Sequence, residues 1–170
     1  MGLGLGEPTG IELYERTGQR SNPEVKLKNK GEEWHGADVI QTAIGQLESL
    51  YTPLQMANYT ATLANKGTRM KLSLIEEIRD YSQEEILYSF QPEVAYQMDL
   101  PESYFDTVTD GMVLASHSGT ARGTFANYPI PVASKTGTPQ IGSETEDVNS
   151  TYIAFAPADD PEIAVFVLIE

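Results

Sequence analysis

Ala133-Ser134-Lys135-Thr136-Gly137-Thr138-Pro139-Gln140 is the stretch that decides how this chain is read. Residues 131–138 read as a strand that runs into a loop. Regular alternation puts Lys135 and Gly137 on one face and Thr136 and Thr138 on the other. A glycine inside a strand weakens it and is best tolerated where another backbone or a ligand approaches closely. One ammonium, two hydroxyls and a backbone without a side chain form a receptor for an extended peptide that ends in a carboxylate. Such a peptide pairs with the strand as an added edge, and charge and hydroxyl donors hold its carboxylate. The same letters also describe an exposed strand end with two threonines of high β-propensity, so the triplet alone leaves both readings open.

Downstream, two more strands are predicted, over 151–156 and 162–169. Pro157-Ala158-Asp159-Asp160-Pro161 joins them and is too short for a parallel crossover, so they are antiparallel neighbours. A polar loop over 139–150 links them to the strand quoted above. Upstream, Phe105, Val108, Met112 and Ala115 recur at helical spacing and predict a helix over 101–116. Residues 116–127 are small and polar and read as a loop. Residues 72–80 and 85–90 read as a hairpin. Thr52-Pro53-Leu54-Gln55 is a capping box with proline at the first helical position, and the helix it starts runs to Asn65, with Gly67 beyond its end. Leu54, Ala57, Ala61 and Ala64 share one face of it. Residues 37–46 are mildly helical. Residues 1–33 read as an irregular lead-in with at most a short extended piece over 10–13. Helices followed by an antiparallel sheet make the fold class α+β rather than alternating α/β.

The chain has 170 residues, enough for one domain with a core. It carries 11 basic against 25 acidic residues, a net charge of −14, which argues against binding a phosphate backbone or anionic lipid. With no cysteine, a disulfide framework, a thiolate metal site and a cysteine nucleophile are excluded. The apolar run over 163–169 is too short to span a bilayer and reads as a buried strand. The opening residues lack the basic and cleavage features of a signal peptide.

Other candidates read as structural. His35 and His117 are far apart and sit in no metal-ligand spacing. Trp34 and Tyr128 read as packing residues. Ser134 beside Lys135 is a poor nucleophile pair because adjacent strand residues point to opposite faces, so it reads as a buried hydroxyl. Glu144, Glu146 and Asp147 lack the glycine and alternating ligands of a calcium loop and read as a solvated tip.

Lys-Thr-Gly is one of three motifs shared by β-lactamases and penicillin-binding proteins, with Ser-x-x-Lys and Ser-Asp-Asn as the others. No serine in these 170 residues is followed three positions later by lysine, and no serine or tyrosine two positions later by asparagine. A longer span carries the resemblance. Gly4-Leu5-Gly6-Glu7-Pro8-Thr9-Gly10-Ile11-Glu12-Leu13, Ala43-Ile44-Gly45-Gln46 with Thr52–Ala57 and Leu63-Ala64-Asn65-Lys66-Gly67, Gly119-Thr120-Ala121 before Ala133–Gln140, and Thr151–Pro157 with Asp160–Val165 follow one another as in class B penicillin-binding proteins. The chain resembles the C-terminal part of their transpeptidase domain, 1–170 being one portion of that domain. The implied fold is an incomplete penicillin-binding or β-lactamase-like transpeptidase fold.

The resemblance implies a serine-type D,D-transpeptidase that cross-links cell-wall stem peptides, with the nucleophile outside this chain. Lys135 then supplies positive charge to the site and its proton-transfer network. Thr136 and Thr138 hydroxyls bind the carboxylate, Gly137 keeps the strand open to substrate, and the Thr138 N–H is one oxyanion donor. No cofactor or metal is implied. Implied partners are a peptidoglycan stem peptide of D-Ala-D-Ala type, β-lactam antibiotics, the upstream half of the domain and, in the parent protein, a lipid-II polymerase, with no nucleic acid. The implied location is the extracytoplasmic face of the bacterial cell membrane. A β-lactam sensor or β-lactamase relative, or a non-catalytic binding module, is the alternative. Two positions depart from the family: Leu47, where glycine is frequent, and Pro139, where alanine is frequent. Since a helix normally follows the last strand and packs on the sheet, apolar surface is expected to be exposed, and the isolated chain is expected to be marginal, oligomeric or dependent on the missing half.

Overall fold

A computed structural model describes residues 2–140 and 148–169. The acidic trio Glu144, Glu146 and Asp147 lies outside the described residues. Among the described residues five helices and seven strands follow in order: α1 Pro23–Lys30, α2 Gly36–Ala43, α3 Pro53–Ala64, β1 Thr68–Met70, β2 Glu77–Arg79, β3 Ile86–Ser89, β4 Val94–Gln97, α4 Glu102–His117, α5 Arg122–Phe125, β5 Ala133–Gly137, β6 Ser150–Ala156 and β7 Ile163–Ile169.

The three C-terminal strands form one antiparallel sheet in the order β5-β6-β7, with β6 and β7 paired as their short connection predicts, and the fold is α+β. In register, Ala133, Phe155 and Ala164 share one face, as do Lys135, Ile153 and Phe166. Met112 of α4 joins Ala133 and Phe155 in the buried core, with Leu63 and Ala64 of α3 packed beside them. β7 is not the buried strand that its apolar run predicts: its opposite face presents Ile163, Val165, Val167 and Ile169 to solvent, an apolar stripe of the kind expected above.

α3 begins as its capping box requires. The Gln55 amide donates to Thr52 Oγ1 at 3.3 Å, and Gln55 Oε1 accepts from the Thr52 amide at 3.2 Å. Gln55 does more than cap. Its Nε2 also donates to the carbonyl oxygens of Glu7 and Thr17, each at 2.7 Å, so one side chain ties the N-terminal segment to the start of α3. The fully buried positions of this helix are Gln55, Asn58, Thr60 and Thr62, while Leu54, Ala57, Ala61 and Ala64 are only half-buried. The threonines satisfy themselves, Thr60 on the Met56 carbonyl and Thr62 on that of Asn58, which is how a polar face is buried without orphan hydroxyls.

Several expectations need correction. The lead-in is not irregular throughout, because it contains α1. Asn22 caps that helix by accepting from the Val25 amide at 2.9 Å, Pro23 fills its first turn and Gly31 ends it in the left-handed region. With no apolar face to give it a periodic signal, its caps define it. Lys26 of α1 donates to Asp38 of α2 at 2.8 Å, and both side chains are nearly buried. The hydrogen bond from Lys26 holds the Asp38 carboxyl below its usual range, and the bond to Asp38 holds the Lys26 ammonium above its own. No strand forms over 10–13. The strand expected over 72–80 shrinks to β2, which does pair with β3 as a hairpin, while β1 pairs with β4 in a second ribbon. Residues 116–127 hold the last turn of α4 and all of α5 rather than a plain loop. The helix expected over 37–46 stops at Ala43. Leu47 just beyond has φ +66°, a left-handed conformation that costs a non-glycine residue about 1–2 kcal/mol.

Candidate active site

The Lys135 strand is an edge of its sheet among the described residues, with β6 on one side and α4 running along it. An edge strand still has main-chain groups to offer a ligand. Alternation is regular: Lys135 and Gly137 share a face with Ile153 and Thr151, and Ser134 and Thr136 share the other with Ala154 and Tyr152. Thr138 is exposed and lies one residue past the last ladder pair, Gly137↔Thr151.

The structure therefore spreads the candidate residues around one strand end. Lys135 is exposed, and its Nζ donates to the Thr136 carbonyl oxygen at 2.6 Å. The Thr136 hydroxyl lies on the other side, 3.0 Å from the Thr120 hydroxyl. Gly137 has a packing reason as well as the expected ligand-access one. A Cβ built there would overlap Thr151 Oγ1, so the cross-strand threonine occupies the space that any side chain at 137 would need.

Ser134 is the buried hydroxyl that the sequence predicts. It has no solvent exposure, and its Oγ lies 2.6 Å from that of Ser116, itself 3% exposed. The sequence reading assigns no role to Ser116 or Thr120, although their spacing carries a signal. Four helical residues rise about 6 Å, and two strand residues about 6.6 Å. Hydroxyls at 116 and 120 can therefore stand opposite hydroxyls at 134 and 136. Burial makes the first rung costly to break on one side only. Ser116→Ala in the full-length parent is expected to lose about 1–3 kcal/mol in urea denaturation, because Ser134 then keeps a buried unpaired hydroxyl. Ser116→Ala with Ser134→Ala is expected to cost less than the sum of the two single changes. A strictly additive pair would mean that the two hydroxyls do not depend on each other.

The remaining candidates sit apart from this strand. His35 precedes α2, where its backbone N–H donates to Asp38 at 2.7 Å, and His117 closes α4. Tyr128 packs edge-on against Phe125 with ring centroids 5.8 Å apart, and Phe125 stacks on Tyr152 at 6.2 Å. Trp34 is half-buried.

Comparison with known proteins gives these positions a context. The family model described as the penicillin binding protein transpeptidase domain matches residues 2–170. Penicillin-binding protein 2A of Bacillus subtilis (strain 168) is 37% identical over 179 residues, which cover 98% of this chain and 24% of the relative. Peptidoglycan D,D-transpeptidase MrdA of Escherichia coli (strain K12) is 31% identical over 185 residues, covering 99% of this chain and 29% of the relative. Among solved structures, penicillin-binding protein 2B from Streptococcus pneumoniae (strain 5204) superposes with a TM-score of 0.76 at 29% identity, over 98% of this chain and 26% of that one. The imipenem acyl-enzyme complex of penicillin-binding protein A from M. tuberculosis gives a TM-score of 0.69 at 30% identity, over 80% of this chain and 30% of that one. The chain thus spans about a quarter of the length of the first of these curated relatives.

Proposed function

Because this chain belongs to the penicillin-binding protein transpeptidase domain family, we propose that its parent is a class B peptidoglycan D,D-transpeptidase and that β5 is the wall of its active site. The observation that carries this reading is the free end of β5. Lys135 and Thr138 are exposed there, Gly137 carries no side chain, and the Thr136 hydroxyl is held from behind by Thr120. An extended stem peptide adds to the edge as a further strand. The Thr136 and Thr138 hydroxyls donate to its terminal carboxylate, and the Lys135 ammonium sets a positive field around it. The Thr138 N–H serves as one donor of an oxyanion hole.

The serine that attacks belongs to another part of the parent. Its oxygen bonds to the peptide carbonyl, the amide bond to the terminal residue breaks, and the freed amine takes a proton as it leaves. The amine of a second stem peptide then attacks the ester and returns the serine. A β-lactam acylates the same serine by opening its ring amide, and its amine stays tethered. The apolar stripe of β7 supports the view that further polypeptide covers this sheet in the parent. On this reading the site works at the extracytoplasmic face of the cell membrane. Among the described residues no helix is long and apolar enough to cross a membrane.

Fluorescent penicillin tests the reading. The full-length parent is expected to become covalently labelled, and the 170-residue chain alone to remain unlabelled. Label on the isolated chain would place a nucleophile within it and overturn the division of labour proposed here.

A further inference from the structure

Thr120 is exposed, yet its surroundings hold it in place. The amide before it, from Gly119, donates to the Leu114 carbonyl at 3.0 Å, and the amide after it, from Ala121, donates to that of Ala115 at 3.1 Å. A Cβ at Gly119 would stand 2.8 Å from the Ala115 Cα, so glycine lets this turn close tightly on the end of α4. The turn delivers the Thr120 hydroxyl to within 3.0 Å of that of Thr136. One turn back, the fully buried Ser116–Ser134 pair at 2.6 Å fixes the register of α4 against β5. The second rung therefore meets a strand that is already held.

A hydroxyl has one proton to donate. If Thr136 donated to Thr120, it would face an incoming anion with lone pairs only. If Thr120 donates, the Thr136 proton is free for the anion, and the two bonds polarise one another. A carboxylate accepts and never donates, so its arrival selects this second direction.

We infer that Thr120 is a positioning residue for carboxylate recognition: it donates to Thr136 and thereby aims the Thr136 proton at the carboxylate of the bound peptide or β-lactam. This rests on the proposed role of β5, and the test separates the two. In the full-length parent, acylation rates are measured with a carboxylate-bearing β-lactam and with its methyl ester. Thr120→Val is expected to slow the acid about three- to tenfold, the range of one hydrogen bond, and to leave the ester within about twofold. Thr120→Ser keeps the hydroxyl and is expected to restore the acid rate. Thr120→Val added to Thr136→Val is expected to cost nothing beyond Thr136→Val alone. Equal losses on acid and ester, or a double variant slower by the product of the single effects, would overturn the inference. If Thr136→Val itself leaves the preference for acid over ester intact, the carboxylate role of β5 fails, and this inference fails with it.

Discussion

A full-length parent carrying Lys135→Met is expected to be acylated by fluorescent penicillin at least about 100-fold more slowly than the native protein, in the range associated with loss of a positioned proton-transfer or charged group. Lys135 stands at the exposed end of an edge strand, and among the described residues the one bond it makes is to the adjacent Thr136 carbonyl. Its ammonium therefore carries no structural duty that would mask the chemistry, and the melting temperature is expected to stay unchanged. Met keeps the length and apolar stem and removes only the charge. Lys135→Arg is expected to recover little, because a planar guanidinium does not replace a compact ammonium that can give up a proton. Acylation within about threefold of native for Lys135→Met would remove Lys135 from the mechanism.

The largest loss of stability is expected at Gln55. The residue is 1% exposed, and its side chain serves the Thr52 amide and the Glu7 and Thr17 carbonyls together. Gln55→Leu fills similar space but removes all three bonds from a side chain that is 1% exposed. At about 1 kcal/mol per bond, the three together come to about 3 kcal/mol, at the upper end of what most single substitutions cost. Gln55→Glu is expected to be worse, because it sets a carboxylate against two carbonyl oxygens. Urea denaturation of the full-length parent reads the loss, and hydrogen exchange is expected to speed up first over residues 7–18. A loss below about 0.5 kcal/mol would show that water replaces the Gln55 bonds readily.

Gln55 also shows how far sequence reasoning reaches. Thr52-Pro53-Leu54-Gln55 declares a helix start because a capping box is closed within four residues, and α3 begins and ends where those letters put it. Nothing in the four letters says that the same amide binds residues 48 and 38 positions away. α1 was missed for a related reason. It lacks an apolar stripe, and its Lys26 is stabilised by Asp38 across a loop rather than by its own helix. The end of α4 and α5 were read as loop because small polar residues are the usual letters of turns. Ser116 and Thr120 are small and polar for a different purpose, to face a strand.

By itself the sequence determined the α+β class, the antiparallel pairing of the last two strands, the limits of α3 and the place of Lys135-Thr136-Gly137-Thr138 at a strand end. Those features are local: a cap, a periodicity or a connection too short for a crossover decides each of them. Only the tertiary structure decided that Thr151 closes the space over Gly137 and that Ser116 and Thr120 back Ser134 and Thr136. These depend on the register of a helix and a neighbouring strand against β5. That register is set by the packing of Met112 and Phe155 on Ala133 and by the buried Ser116–Ser134 contact, which join residues far apart in the chain.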